Sequence, residues 1–298
     1  MLSKEMQQWF EVVKASKTDV TFIPPEFALA ARNAVNEGYG KFPVPEDIEV
    51  AEDTVNGISG EFYRYKGERP AELNDKILMF IHGGGFMVGS VASRRYMCVN
   101  ALHYAKLDGF SVEYTQYPEG EYPEGLVDVI RAFRGLVQRG YKPENIYLMG
   151  ESGGAMLCLA LTLYLKDHKK PLPGKVCVFS PPTILNREPA SRTERNDRDP
   201  MISSNLNAQL DIYLSEYDKQ SKYLTTVDAD FDGFPKLLVN VGTEEVIWDD
   251  AFTLAEKAKA AGVDVEFKPW EGMFHSFPIC PAPESLAAME YAANFLLS

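Results

Sequence analysis

Residues 146–155 read IYLMGESGGA, an apolar run that leads through a serine between glycines into a segment typical of a helix. The stretch Gly150-Glu151-Ser152-Gly153-Gly154 fits the pattern G-x-S-x-G, which marks a sharp turn from a strand into a helix with an exposed serine. Such a turn strains the backbone of the serine, and the neighbouring strand and helix pass too close for side chains on the glycines. This context favours a nucleophilic Ser152. Because five residues recur by chance, the pattern alone also fits a structural serine in a Gly-rich turn.

A second glycine run, His82-Gly83-Gly84-Gly85, directly follows the apolar residues 77–81. Consecutive glycines leave backbone N–H groups free to point into a site, as the stabilisation of a developing oxyanion requires. A flexible loop with an incidental histidine is the alternative, and the serine turn later in the chain makes it the poorer one. We expect the His82 ring to organise this loop rather than to act as a base.

The pattern around both motifs predicts an α/β fold. Short apolar runs lie at residues 77–81, 110–114, 146–149, 176–179, 237–241 and 263–267. Predicted helices alternate with them at about 92–107, 124–139, 153–167, 247–261 and 284–297. Strands this apolar are buried on both faces, which indicates a mostly parallel central sheet flanked by helices.

Two regions stand outside this alternation. Residues 1–45 begin with an amphipathic helix and continue with a second helix after Pro24-Pro25. After this region, a hairpin turn is predicted at Asn56-Gly57. Residues 181–234 contain no clear buried strand, and an insertion this long is usually functional or a lid. The whole chain, 1–298, is expected to form a single domain whose cap comes from about 1–45 and 181–234.

A serine nucleophile needs a base, and the chain has only four histidines. His275 lies in the loop between the last predicted strand and the last predicted helix, where the order Ser…Asp/Glu…His places the base. His103 falls within a predicted helix, and His168 falls at a helix end, where the dipole favours a cation. His275 is therefore the candidate base.

The acid should follow the predicted strand at 237–241, where four carboxylates compete. They are Glu244, Glu245, Asp249 and Asp250. Asp249 and Asp250 have a simpler explanation as favourable charges at a helix N-terminus.

Composition disfavours several classes of partner. The chain carries 30 Lys and Arg against 43 Asp and Glu, a net charge of −13, which disfavours nucleic acids and anionic membranes as partners. The four cysteines have no C-x-x-C spacing and are expected to be buried free thiols in a reducing compartment. The N-terminus lacks the apolar run of a signal peptide, and no stretch approaches the roughly 18 residues of a membrane span. A cytoplasmic protein is expected.

Several landmarks together resemble the hormone-sensitive-lipase-like branch of the α/β-hydrolases, which includes many bacterial carboxylesterases. The resemblance covers nearly the whole chain, with the landmarks in the family's order. The family's H-G-G-G corresponds to His82 to Gly85, and its Y-R-L-A-P-E corresponds to Tyr114-Thr115-Gln116-Tyr117-Pro118-Glu119. Its G-D-S-A-G corresponds to residues 150–154, and its D-P-M corresponds to Asp199-Pro200-Met201. Its D-x-L with trailing acids corresponds to residues 245–250, and its H-x-F corresponds to His275-Ser276-Phe277.

The sequence departs from the family pattern at a few positions. The acid aligns on Glu245 instead of Asp, although Glu also serves in this fold. Glu151 and Gly153 replace Asp and Ala in the serine motif. Tyr117 replaces a small residue and is expected to narrow the pocket.

The resemblance implies an α/β-hydrolase fold with a helical cap and a serine carboxylesterase that cleaves short-chain esters through an acyl-enzyme. It implies Ser152 as nucleophile, His275 as base and Glu245 as acid, and the N–H groups of Gly84, Gly85 and Gly153 as the oxyanion hole. No metal or other cofactor is expected. The partner is a small-molecule ester, and the oligomeric state stays open, with a homodimer as one option. An amidase or other acyl hydrolase with the same triad, or a catalytically silent small-molecule-binding protein, are the alternatives.

Overall fold

The protein is described by a computed structural model that covers residues 2–17 and 23–298. Within these residues the core is one eight-stranded sheet with the strand order β1-β2-β4-β3-β5-β6-β7-β8. The strands β1 to β8 are, in chain order, Ile48–Val55, Ile58–Tyr65, Ile77–Ile81, Asp108–Val112, Ile146–Glu151, Lys175–Phe179, Lys236–Gly242 and Val265–Trp270. Residue 1 and residues 18–22 of the expected N-terminal cap lie outside the described residues.

The sheet is mostly parallel, as predicted. Strands β3 to β8 pair in parallel, whereas β1 and β2 form an antiparallel hairpin that joins the sheet along β4. Asn56 and Gly57 connect the hairpin with φ values of 50° and 81°. Both central residues of a type I′ turn need positive φ, so the prediction from this dipeptide is confirmed.

Two strands begin and end at other residues than predicted. The run predicted at 110–114 forms β4 at Asp108–Val112, because the polar Asp108 begins the strand and accepts a hydrogen bond from Tyr65 N at 3.0 Å. The run predicted at 263–267 forms β8 at Val265–Trp270. Strand β8 is the edge of the sheet and only half-buried, so it extends through residues that a search for apolar runs misses.

Helices cover both faces of the sheet. Helices α1 to α10 are Lys4–Ser16, Pro25–Tyr39, Val91–Ala105, Glu124–Gln138, Gly153–Asp167, Ala190–Glu194, Leu206–Leu210, Glu216–Lys219, Trp248–Ala260 and Pro283–Leu297. In β3, Ile77, Met79 and Ile81 pack with α4, α5 and α9, while Leu78 and Phe80 pack with α1, α3 and α10. This alternation follows from the two-residue period of a strand.

Residues 181–234 contain no strand and only short helices, which are α6, α7 and α8 and a 3-10 turn at Thr226–Asp228. A buried ion pair ties this segment to the sheet side of the molecule: Arg192 Nη2 lies 3.0 Å from Asp250 Oδ1 in α9. The same Asp250 oxygen accepts hydrogen bonds from the backbone N–H groups of Thr183 and Ile184. Asp250 is therefore more than a favourable helix charge, because it anchors the segment that precedes α6.

Cys98, Cys158, Cys177 and Cys280 are all buried and free, as the spacing predicted. Among the described residues, no helix combines the length and apolar character that crossing a membrane requires. The cytoplasmic location and the absence of a cofactor stay predictions, and the oligomeric state stays open.

Candidate active site

Ser152 sits on a strained turn at the end of β5. Its backbone angles are φ 52° and ψ −122°, and its N–H donates to Phe179 O of β6 at 2.9 Å. A Cβ on Gly154 would lie 2.0 Å from Ile81 O, so only glycine fits where α5 crosses β3. Gly153 differs from the expectation, because a Cβ there would meet only the Phe86 ring, at an ordinary 3.4 Å.

Three of the predicted residues form one hydrogen-bonded line. His275 Nε2 lies 2.8 Å from Ser152 Oγ, and His275 Nδ1 lies 3.1 Å from Glu245 Oε2. All three side chains are buried, with 8% of Ser152 exposed. The geometry has the three parts of a nucleophile, a base and a group that orients the base.

The side chains of the adjacent residues Glu244 and Glu245 point in different directions and have different partners. Glu245 is fully buried, and its second oxygen, Oε1, accepts from Gly242 N at 2.5 Å and from Ser180 Oγ at 2.8 Å. Glu244 turns away and forms an ion pair with the half-exposed Arg198 at 2.6 Å. Only Glu245 therefore lies within reach of His275.

Ser180 is a site residue that the sequence reasoning missed. Its hydroxyl donates to Glu245 Oε1 and accepts from Ser276 N at 3.1 Å, so one side chain links the loop of the acid to the loop of the histidine. Ser180 and Ser276 both have positive φ, at 51° and 54°. No sequence motif identifies Ser180, because its role depends on the position of β6 beside β7.

The glycine run lies beside this line. Gly84 and Gly85 have φ values of 111° and 61° and line the same cleft as Ser152. Among the described residues, the N–H groups of Gly84, Gly85 and Gly153 donate no hydrogen bond to a protein acceptor. Unpaired N–H groups next to a serine can stabilise negative charge on a substrate oxygen.

The contacts of His82 are with its own loop and with Tyr114 and Glu113. Its ring is fully buried and stacks on Tyr114 with the ring centroids 4.4 Å apart. Its Nδ1 lies 2.9 Å from Gly83 O, and its Nε2 lies 3.4 Å from Glu113 Oε1. These contacts fit the expected role in organising the loop.

Glu151, the residue before the serine, joins the two loops of the site. Its Oε1 accepts from Gly83 N at 2.8 Å and from Arg94 Nε at 2.7 Å, while its Oε2 accepts from Ser276 Oγ at 2.5 Å. Burial raises the pKa of Glu151, but the Arg94 charge and the hydrogen bonds from Ser276 and Arg94 outweigh it and hold the pKa below its usual value. A charged carboxylate thus ties the glycine loop to the histidine loop.

The site opens into a cleft with a volume of about 220 Å³. Residues 181–234 supply much of its wall, with Met201, Ile202, Leu206, Gln209, Leu210 and Ile212. Ser16 and Ile23 contribute from the N-terminal region. Tyr117 does not line the cleft directly, contrary to expectation, because its hydroxyl turns toward the backbone and donates to Ile23 O at 3.0 Å.

Charges around His275 set its protonation. Burial lowers the pKa of His275, but the hydrogen bond and charge of Glu245, with the charges of Asp199 and Glu151, outweigh this and raise the pKa above the ordinary 6.5. Burial in turn raises the pKa of Asp199 to about 6. Asp199 therefore carries a charge near neutral pH and contributes to the raised pKa of His275.

This balance predicts the pH dependence of activity. A base must be neutral to accept a proton, so kcat/KM should fall as the pH drops through a His275 pKa above 6.5. Asp199→Asn removes one negative charge and should move this acid limb to lower pH, whereas Asp197→Asn on the exposed side of the same segment should leave it unchanged. Measurement of kcat/KM from pH 4 to 9 tests both variants. An acid limb that stays unchanged in the residual activity of His275→Ala would assign it to another group.

Known proteins resemble this chain in sequence and in fold. The family described as alpha/beta hydrolase fold matches residues 78–279. An acetyl-hydrolase of Streptomyces hygroscopicus is 32% identical over 89% of this chain and 87% of its own length. An esterase of Acinetobacter venetianus is 30% identical over 86% of this chain and 84% of its own length.

A solved structure extends the likeness to three dimensions. An esterase from the bacterial hormone-sensitive lipase (HSL) family superposes with a TM-score of 0.89 at 28% identity, covering 99% of this chain and 98% of that one. Fold, site and relatives define the class of a serine hydrolase that acts on carboxylic esters. The chain belongs to the α/β-hydrolase family, among its hormone-sensitive-lipase-like esterases, which confirms the resemblance found in the sequence.

Proposed function

We propose that this esterase hydrolyses short-chain carboxylic esters through an acyl-enzyme, with Ser152 as nucleophile, His275 as base and Glu245 as the acid that orients it. The observation that carries the proposal is the continuous line from Ser152 Oγ through the His275 ring to Glu245 Oε2, with contacts of 2.8 and 3.1 Å, at the floor of an open cleft.

In the first half of the reaction, Ser152 Oγ attacks the acyl carbon while His275 Nε2 takes its proton. Glu245 holds the Nδ1–H tautomer and stabilises the imidazolium that forms. The carbonyl oxygen becomes an oxyanion, which the N–H groups of Gly84, Gly85 and Gly153 stabilise. The tetrahedral intermediate collapses when His275 returns the proton to the leaving alcohol.

In the second half, water replaces the alcohol. His275 takes a proton from this water as the water attacks the acyl carbon, and a second tetrahedral intermediate expels Ser152 Oγ, which recovers its proton. The carboxylic acid leaves and the free enzyme returns. Each step uses side chains and backbone groups of the chain itself.

The preference for short acyl chains is supported by the cap that we propose. Residues about 1–45 and 181–234 would form this cap over a single domain of residues 1–298, because both regions contribute to the wall of the cleft. Met201, Leu206 and Leu210 give that wall an apolar surface, which suits a short alkyl chain. The relative from Streptomyces hygroscopicus, whose name is acetyl-hydrolase, agrees with a small acyl group.

A panel of p-nitrophenyl esters with graded acyl length tests this preference. We expect kcat/KM for the acetate or butyrate to exceed that for the dodecanoate by about tenfold or more, because the longer chain overfills a cleft of about 220 Å³ and must crowd its wall when the acyl carbon reaches Ser152. Faster cleavage of emulsified long-chain triglyceride would contradict the proposal. Matched acyl p-nitroanilides separate an esterase from an amidase, and an anilide cleaved as fast as its ester would favour the amidase.

A further inference from the structure

We propose that Arg94 gives the cleft a preference for esters that carry a second, uncharged oxygen acceptor, such as a ketone or ether oxygen, in the acyl or alcohol chain. The inference rests on the proposed esterase function and narrows its substrate class. It follows from the position of Arg94, the state of its N–H groups and the charges around it.

Arg94 is a nearly buried cation in the wall of the catalytic cleft. It lies in the first turn of α3, is 6% exposed, and lines the same cleft as Ser152 and His275. Its Nε donates to Glu151 Oε1 at 2.7 Å and its Nη1 donates to Ser93 Oγ at 3.3 Å. Its Nη2 donates no hydrogen bond to another described residue. A substrate oxygen that reaches this group would supply an acceptor that no described residue provides.

The guanidinium is held in place before any substrate arrives. Glu151 and Ser93 fix two of its nitrogens, and its Cζ lies 5.9 Å from the centre of the Tyr39 ring. A donor that is already ordered loses little conformational entropy when it binds an acceptor. Arg94 is therefore suited to discriminate between substrates and is more than a structural counter-ion.

Other polar side chains in the wall are already engaged with the protein. Ser16 Oγ donates to Val13 O at 2.8 Å, and Ser276 Oγ donates to Glu151 Oε2 at 2.5 Å. Much of the remaining wall is apolar, including Met87 and Val88 beside the glycine loop. In an apolar cleft, a single well-placed donor decides which polar substrate atom is accepted and where it lies.

The charges near Arg94 favour an uncharged acceptor over a carboxylate. Arg94 forms a buried ion pair with Glu151, so the pair contributes no net charge to the cleft. Glu245 and Asp199 add negative charge around His275, and the whole chain carries a net charge of −13. A carboxylate would meet this negative field, whereas a ketone or ether oxygen takes the hydrogen bond without the repulsion.

The test compares pairs of esters in which oxygen replaces part of a methylene chain. On the acyl side, p-nitrophenyl 4-oxopentanoate is compared with p-nitrophenyl pentanoate. On the alcohol side, 2-methoxyethyl acetate is compared with butyl acetate. For each pair, the ratio of kcat/KM, oxygenated over apolar, is measured in the wild type and in Arg94→Met.

We expect the ratio to fall about tenfold in Arg94→Met in at least one series, because the variant loses a charge-assisted hydrogen bond to the substrate. General damage from the lost Glu151 contact lowers both members of a pair alike and leaves the ratio unchanged. Arg95→Met is the matched control, since Arg95 pairs with Glu61 and does not line the cleft, and its ratios should equal those of the wild type. If Arg94→Met does not fold, the double variant Arg94→Met/Glu151→Gln removes both buried charges and serves for the same ratio.

An unchanged ratio in both series would overturn the role of Arg94. Faster cleavage by the wild type of the carboxylate ester, p-nitrophenyl hemisuccinate, than of the 4-oxopentanoate would overturn the choice of an uncharged acceptor. If the wild type cleaved no ester in either series, the proposed esterase function itself would fail. That result is distinct from an unchanged ratio among esters that are cleaved.

Discussion

Ser152→Ala should abolish ester hydrolysis, with a loss in kcat that reaches about a millionfold if the three side chains act as one unit. The variant deletes the atom that attacks the substrate and the single hydrogen bond from that atom to His275 at 2.8 Å. The backbone contact from Ser152 N to Phe179 O remains, and alanine takes the φ of 52° no more easily than serine does. The free energy of unfolding should therefore change by about 1 kcal/mol or less.

The control is another buried serine. Ser111 in β4 is 1% exposed, and its hydroxyl has no hydrogen-bond partner among the described residues, so Ser111→Ala should keep its activity. Intact-mass measurement adds a direct readout, because a serine-reactive organophosphate should label the wild type and Ser111→Ala once and leave Ser152→Ala unlabelled. Near-normal turnover by Ser152→Ala would end the proposal of a serine nucleophile. A wild type that resists labelling would favour a silent binding protein instead.

The sequence predicted the parts of this molecule that depend on local pattern. Strand β3 and helix α5 have the predicted bounds, and the Asn56-Gly57 turn forms as expected, because neighbouring residues decide each of them. Strand β8 did not follow its apolar run, since an edge strand is half-exposed and tolerates polar residues. Local pattern therefore located β3 and α5, but it misplaced the interior strand β4 by two residues as well as the edge strand β8.

The contacts that Glu151 makes with distant residues were beyond the sequence. Glu151 joins Gly83, Arg94 and Ser276, which lie 68, 57 and 125 residues away along the chain. In the sequence Glu151 is only a departure from the Asp of the family motif, and no spacing rule connects it to either loop. The glycine that follows Ser152 shows the opposite error: its neighbours leave room for a methyl group, so the motif overstated the steric need for Gly153.

The choice between Glu244 and Glu245 also depends on the third dimension. Adjacent side chains leave an extended or turning backbone in different directions, so residue spacing alone names the pair, and it was the register of the family motif that pointed to Glu245. In the fold, Glu245 Oε2 lies 3.1 Å from His275 Nδ1, while Glu244 lies 2.6 Å from Arg198. Because only Glu245 contacts His275, the same Glu→Gln change at the two positions should affect kcat very differently.

Glu245→Gln should lower kcat by about 10⁴-fold, as the comparable change does in a serine protease. Gly242 N can only donate, so it will hold the amide oxygen at the site of Glu245 Oε1 and turn the NH₂ group toward His275 Nδ1. An NH₂ group there stabilises the tautomer with its proton on Nε2, which cannot accept the proton of Ser152. Glu244→Gln removes only a partly exposed ion pair with Arg198 and should change kcat by about threefold or less. Steady-state kinetics of both purified variants decides the assignment, and a large loss at position 244 with little loss at position 245 would reverse it.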